Sequence, residues 1–330
     1  MSQRFIGLVL IGLLGLSGCS LPAIQTQTPP GLPAVSETPF QPAIVTPLPE
    51  LVTATPAPTS TSTVIPPLTI EQLRNGEYFS NGIDGSPTPY RLTDGSYRTG
   101  SDPAAIGYAA ISLLAPYAIG NLDDDPLADA AVILVENYGG TGQFVQVGAV
   151  LNLGGQPTHV ANFFLGDRVL VNAVSIQNYE INLDLVVHGP QDGQCCPTVP
   201  ATMRLRLLNN NRLMVTRFTT LTPGGQERAI NIRAPLNGAE VSGSITITGD
   251  VPIAPFENNL TYTIYDSEYR EITRSWLMVD APDMGAPGTF ALSLDLASLG
   301  VRGDIYVEIT DFSAADGSVL ALAQVHLKVR

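Results

Sequence analysis

Phe290-Ala291-Leu292-Ser293-Leu294-Asp295-Leu296 decides the fold: bulky apolar residues alternate strictly with small or polar ones. Side chains along a β-strand point to opposite faces in turn, so this pattern predicts a strand with one dry face and one wet face. The same alternation returns in Ile245 and Ile247 against Thr246 and Thr248, and in Val325, Leu327 and Val329 against Gln324, His326 and Lys328. Turn residues such as Asp316-Gly317-Ser318 separate these runs. Several period-2 strands at short spacing predict a β-sandwich over residues 229–330.

Residues 68–228 read as a separate, mostly β domain with helices at its start. Thr69-Ile70-Glu71-Gln72 is a capping-box pattern and predicts a short helix through Tyr78. The Ala-rich segment from Ala104 to Ala118, with Ile106, Ile111, Leu113 and Leu114, predicts a second helix closed by Pro116. Ala131-Val132-Ile133-Leu134-Val135 predicts a fully buried strand, turned by Asn137-Tyr138-Gly139-Gly140-Thr141-Gly142 into a return strand from Phe144 to Leu153. Further strands are expected at His159 to Leu165, Val169 to Ile176, Glu180 to Val187, Met203 to Leu208 and Arg212 to Phe218. Asn209-Asn210-Asn211 joins the last pair.

Within the C-terminal domain, Pro235-Leu236-Asn237-Gly238-Ala239-Glu240-Val241 precedes Ile245-Thr246-Ile247-Thr248-Gly249 and Phe256-Glu257-Asn258-Asn259-Leu260. With Gly288-Thr289-Phe290 and Asp311-Phe312-Ser313-Ala314-Ala315-Asp316-Gly317-Ser318, these segments resemble the immunoglobulin-like domain associated with bacterial spore germination proteins. The resemblance covers nearly all of residues 229–330 and implies an adhesion or assembly module, in a family without an established enzymatic activity. One turn departs from it: Asp266-Ser267-Glu268-Tyr269 has no glycine where the family would place one. The fold class expected for the whole chain is mostly β, an α+β antiparallel domain followed by an immunoglobulin-like β-sandwich.

The N-terminus has another logic. Arg4 precedes an apolar run from Phe5 to Gly15, too short for a permanent membrane span of about 20 residues. Residues 1–18 therefore read as a signal peptide. Leu16-Ser17-Gly18-Cys19 resembles the bacterial lipobox, which implies that Cys19 is acylated and becomes the mature N-terminus. Residues 19–67 are rich in Pro, Thr and Ser, with only Glu37 and Glu50 charged, and predict a disordered tether. The expected location is extracytoplasmic, anchored to the bacterial membrane through Cys19.

Charge narrows the partners. A net charge of −14 argues against nucleic acid, and the single lysine, Lys328, leaves little for Schiff-base or phosphate-loop chemistry. The chain has no Gly-x-Ser-x-Gly, His-Glu-x-x-His or Cys-x-x-Cys pattern. No set of residues makes a convincing active site. The expected role is binding or scaffolding in the cell envelope, toward a wall glycan or an envelope protein; the alternative is an extracytoplasmic hydrolase of cell-wall or exopolysaccharide glycans, because two carboxylates suffice for that chemistry.

Two constellations stand out in the first domain. Asn121, Asp123, Asp125 and Asp129 supply oxygen side chains at positions 1, 3, 5 and 9 of a loop, with Leu127 placed to offer a carbonyl, as in calcium loops. Pro126 replaces the glycine such loops use, and Val132 stands where a bidentate glutamate belongs, so the expectation is at most weak calcium in an otherwise solvated acidic loop. The other is His188-Gly189-Pro190-Gln191-Asp192-Gly193-Gln194-Cys195-Cys196-Pro197-Thr198. Lipidation of Cys19 leaves Cys195 and Cys196 as the remaining thiols, and a vicinal disulfide, two free thiols or an intermolecular bridge are all open. The bridge would stiffen a turn or sense redox state. A zinc site with His188 is poor, since adjacent cysteines cannot splay around a tetrahedral ion.

Together with Asn137-Tyr138-Gly139-Gly140-Thr141-Gly142 and Leu165-Gly166-Asp167-Arg168-Val169, these loops resemble, loosely, modules of other bacterial lipoproteins of unknown activity. His326 reads as a solvated strand residue, His159 as a strand residue of unassigned facing, and Trp276 as a core aromatic rather than a sugar-stacking platform.

Overall fold

The computed structural model describes residues 65–80 and 87–330; the leader, Cys19 and the tether up to residue 64 lie outside the described residues. Among the described residues one short helix comes first, α1 (Ile70–Arg74), followed by β1 (Glu77–Ser80), β2 (Thr88–Arg91), β3 (Ser96–Thr99), β4 (Ala109–Gly120), β5 (Asp129–Asn137), β6 (Phe144–Leu153) and β7 (Gln156–Asp167). Then come β8 (Leu170–Gln177), β9 (Glu180–Val187), β10 (Val199–Leu208), β11 (Arg212–Leu221) and β12 (Glu227–Arg228). The C-terminal domain holds β13 (Asn231–Ala234), β14 (Ala239–Val241), β15 (Ser244–Val251), β16 (Asn259–Tyr265), β17 (Glu271–Asp280), β18 (Gly288–Asp295), β19 (Gly303–Phe312) and β20 (Val319–Val329).

The capping box forms as the sequence predicts: Thr69 Oγ1 accepts the Gln72 N–H at 3.2 Å and Gln72 Oε1 accepts the Thr69 N–H at 2.9 Å. The helix is shorter than expected. It ends at Arg74, and Tyr78 sits in β1, folding back so that its hydroxyl donates to the Leu73 carbonyl at 2.8 Å. The second expected helix, over residues 104–118, is instead loop and strand β4. Register with β5 (Leu113↔Leu134, Leu114↔Ile133) outweighs alanine's helix propensity, and Pro116 falls inside a bulge between Leu114 and Ala118 where the ladder needs no N–H from it. Ile106, counted as apolar in that helix, is fully exposed. The tether's last residues are also docked, since Asn152 Nδ2 donates to the Pro66 carbonyl at 3.1 Å.

The first domain has three layers. The five-stranded sheet β3-β4-β5-β6-β7 is covered on one face by α1 and the β1–β2 pair, and on the other by strands β8 to β11. Strand β5 serves both interfaces: Val132 and Leu134 enter one core, Ala131 and Ile133 the other. That is why the run from Ala130 to Val135 is apolar without interruption. Each fully buried Leu or Ile there contributes about 1.5–3 kcal/mol.

The C-terminal domain is an immunoglobulin-like sandwich around Ile247, Leu260, Ile264, Val307 and Leu327, with β17 pairing into both of its sheets. The two domains are not merely strung together. Strand β11 pairs with β20 at Arg217↔Ala323 and Phe218↔Leu322, so strand pairing runs from β8 through to β13 in one sheet of 13 strands. On β20, Ala321 and Ala323 fill the sandwich core while Leu322, pointing the other way, fills the core of the first domain.

Candidate functional site: a groove at the domain junction

Alternation on β20 builds the site. Leu322 is covered by the first domain, but the residues that follow it on the same face, Gln324, His326 and Lys328, are not. Strand β11 pairs with β20 at residues 217 and 218 only and then departs from it, opening a groove. Strand β19 adds Asp304, Tyr306 and Glu308 to the floor, in register as Asp304↔Lys328, Tyr306↔His326 and Glu308↔Gln324. The facing wall comes from β10, β11 and their turn, through Arg206, Asn209, Asn211, Met214 and Thr216. Two adjoining cavities, of about 530 and 700 Å³, share Asn211 and Met214. Phe79, Asn162 and Phe164 close one end; Tyr179, Asp123 and Asp124 line the other.

The floor is held rigid by its own contacts. The Tyr306 ring stacks on His326 with centroids 5.0 Å apart, and His326 Nε2 lies 2.7 Å from Asp304 Oδ1. Tyr269 reaches in from the β16–β17 turn: its hydroxyl donates to Glu308 Oε2 at 3.0 Å and accepts from Gln324 Nε2 at 3.1 Å. Its ring stacks on Tyr265 at 4.2 Å, with the Arg212 guanidinium 5.1 Å from its centroid. Burial holds the Glu308 carboxyl above the ordinary carboxylate range, against the opposing pull of hydrogen bonds from Tyr269 and Thr310. Burial likewise raises the phenols of Tyr269 and Tyr306.

Tyr269 has φ 62°, the left-handed region that suits glycine. A non-glycine residue there costs roughly 1–2 kcal/mol, offset here by a ring stack and two hydrogen bonds. This is the turn where the family resemblance asks for glycine. The departure from the pattern thus coincides with the side chain that braces Glu308 and Gln324.

The constellations singled out from sequence are arranged differently. In the acidic loop, Asn121 Oδ1 accepts the Asp123 N–H at 3.0 Å, Asp123 Oδ1 the Asp125 N–H at 2.9 Å, and Asp125 Oδ1 the Leu127 N–H at 2.7 Å. Asp129 is buried, and its two oxygens accept the Leu122 and Asn152 N–H groups at 2.7 and 2.9 Å. Desolvation nevertheless raises its carboxyl above the usual range. These bonds fold the loop so that Asp123 and Asp124 face the groove.

Cys195 and Cys196 do not line that groove; they sit on an exposed loop with their sulfurs paired and their Cα atoms 3.8 Å apart. Asp192 organises this loop by accepting the N–H groups of Gly189 and Thr198, each at 2.8 Å, which hold its carboxyl below the usual range. Arg168 bridges to the Thr141 carbonyl and to the Gln194 carbonyl at 2.9 Å, so three loops grouped from sequence are neighbours in space. His188 Nε2 meets the Asp167 carbonyl at 3.1 Å. Among the described residues no three His, Cys, Asp or Glu side chains gather as a metal site.

The sequence reading of Trp276 is corrected: the ring is 66% exposed on the outer side of β17, opposite Thr261, and not in the core. His159 is buried between Tyr78 and Phe79, where Nδ1 accepts the Phe79 N–H at 3.3 Å and burial pushes its pKa down to about 4. His326 is only partly solvated. Sequence reasoning missed Arg212, Tyr179, Tyr269 and Glu308 as groove residues; the absence of a glycine from the turn Asp266-Ser267-Glu268-Tyr269 was the available signal.

With this geometry in view, the comparisons with known proteins concern the C-terminal domain. Residues 229–318 match the family model described as the immunoglobulin-like domain of bacterial spore germination. The C-terminal region therefore contains such a domain, and the match stops at the residue before β20. No curated protein matches the chain.

Proposed function

We propose that this is a lipid-anchored extracytoplasmic protein of the bacterial cell envelope that binds or scaffolds another envelope component. The anchoring rests on Leu16-Ser17-Gly18-Cys19 after a short apolar leader. The binding role rests on one observation: an open, polar and aromatic groove lies where two domains are joined by continuous strand pairing. Binding residues set on rigid strands keep their geometry, and concave sites at domain junctions are where ligands usually sit.

The two carboxylates of the floor do not form a hydrolase pair. Asp304 and Glu308 are four residues apart on one strand, about 13 Å at strand rise. Glycosidase carboxyl pairs stand about 5 to 9.5 Å apart, so these two do not make one. Asp304 is also engaged by His326.

The test is a pull-down with the tagged mature protein from envelope extract, run beside incubation with peptidoglycan fragments. Enrichment without turnover supports the reading; product formation overturns it in favour of a hydrolase. Metabolic labelling with fatty acid tests the anchor, and labelling that persists in Cys19→Ala would place the lipid elsewhere.

A further inference from the structure

We infer that the junction groove is the binding site for an extended, linear glycan strand, read by side chains along β19 and β20. This rests on the binding reading above and names its ligand class.

Shape comes first. The open floor residues of β20 run from Gln324 to Lys328, four residues, or about 13 Å at strand rise, with Glu308 extending the floor towards the other cavity. The two cavities adjoin at Asn211 and Met214. An open trough of that length suits a short run of linked pyranose rings better than a compact metabolite.

Side-chain chemistry points the same way. Asn209, Asn211, Asn237 and Gln324 line the larger cavity, and each amide both donates and accepts, as sugar hydroxyls do. Tyr179, an exposed ring on the cavity wall, offers a face for the apolar C–H faces of pyranoses. Charges of both signs are interspersed, Arg206 and Lys328 against Asp123 and Asp304. A polyanion would need a single-sign basic track, and the net charge of −14 opposes one.

Backbone pairing argues against a peptide. An extended peptide gains its affinity by adding to a free strand edge. Here β20 is paired with β19 along its length, with β11 at residues 322 and 323, and with β14 at residues 327 to 329. Between these, Gly238 N–H donates to the His326 carbonyl at 2.8 Å, and the His326 N–H donates to Asn237 Oδ1 at 2.8 Å. The floor reads its ligand through side chains.

The experiment uses the full chain, purified in detergent, with three probes: chitohexaose, cellohexaose and purified peptidoglycan sacculi. Calorimetry serves the soluble probes and co-sedimentation the sacculi. The expected result is saturable binding to at least one probe, weakened tenfold or more when a hexamer is cut to its disaccharide. Tyr179→Ala, at an exposed turn, and Gln324→Ala should each weaken binding at least fivefold, with unchanged circular dichroism, while Trp276→Ala on the outer face of β17 should bind as wild type. Failure to bind any probe overturns the inference, as does binding that both groove variants leave intact or that Trp276→Ala abolishes. If the probes fail but the envelope pull-down captures a protein whose retention falls in Gln324→Ala, the glycan assignment is lost and the binding reading stands. If the pull-down also captures nothing, both are lost.

Discussion

Replacing Asp311 by Asn should stabilise the protein at neutral pH. Asp311 sits on β19 among the inward-facing positions Ile305, Val307 and Ile309, is 7% exposed, and has its pKa pushed up to about 6 by burial, with only Arg228 pulling the other way. The folded state therefore binds this proton more tightly than the unfolded one, whose value is near 3.8. Between those values the native chain holds the extra proton, so wild-type stability falls as pH rises from about 4 to about 6. A displacement of roughly two pKa units corresponds to about 3 kcal/mol. Asn keeps the volume and cannot ionise, so Asp311→Asn should gain roughly 2–3 kcal/mol at pH 7 and nothing below pH 4.

His159 supplies an internal control of opposite sign. Its folded pKa of about 4 lies below the ordinary 6.5, so the unfolded state binds more protons and stability is lost as pH falls through 6.5 towards 4. In wild type the slope of Asp311 opposes that of His159 between pH 4 and 6, and the raised carboxyls of Asp129 and Glu308 act in the same sense as Asp311. Removing Asp311 should therefore make the variant's stability fall, relative to that of wild type, by about 3 kcal/mol on acidification across this window. Urea unfolding at pH 4, 5, 6 and 7, for wild type and Asp311→Asn, reads both effects as shifts in midpoint. A variant no more stable than wild type at pH 7, or a gain that does not change with pH, would refute the account of Asp311 as a buried, ionised cost.

Three further outcomes are expected. Calcium should bind the acidic loop no tighter than about 10⁻⁴ to 10⁻³ M, because Pro126 replaces the usual glycine and Asp129 already accepts two backbone N–H groups; a micromolar site in calorimetry would refute this. Intact-mass analysis of the exported chain should find Cys195 and Cys196 resistant to alkylation until reductant is added, and two thiols alkylated without reduction would refute the intramolecular bridge. Leu322→Ala should cost about 2–5 kcal/mol and weaken both domains at once, so that fluorescence of Trp276, the single tryptophan, and far-UV circular dichroism still report one shared transition; separate transitions in wild type would mean that the β11–β20 pairing does not couple them.

Local physics made much of the fold legible. The alternation of Phe290 to Leu296 and the apolar run of Ala131 to Val135 each reflect which faces of a strand are covered, and burial matches them. The capping box at Thr69 and Gln72 was readable because it closes within one turn. Errors arose where a distant partner overrode local preference. Residues 109–120 have the composition of a helix, yet pairing with β3 and β5 makes them a strand, and Pro116 is tolerated by a bulge that no local pattern announces. Trp276 alternates correctly along β17, but its face of the strand is left open to solvent, which alternation alone does not reveal.

The groove was the hardest feature to read, since it exists because two strands a hundred residues apart, β11 and β20, pair briefly and then part. Its signature is nonetheless written in β20. From Val319 to Ala323 every residue is apolar, as in a strand covered on both faces, and from Gln324 to Val329 polar and apolar residues alternate, as in a strand covered on one. The change of pattern falls at Gln324. Leu322, the last apolar residue on that face, enters the first domain's core, and Gln324, the next, hydrogen-bonds Tyr269 on the groove floor. A shift from two-faced to one-faced apolarity within a single strand thus marks the place where a covering domain ends and an open binding surface begins.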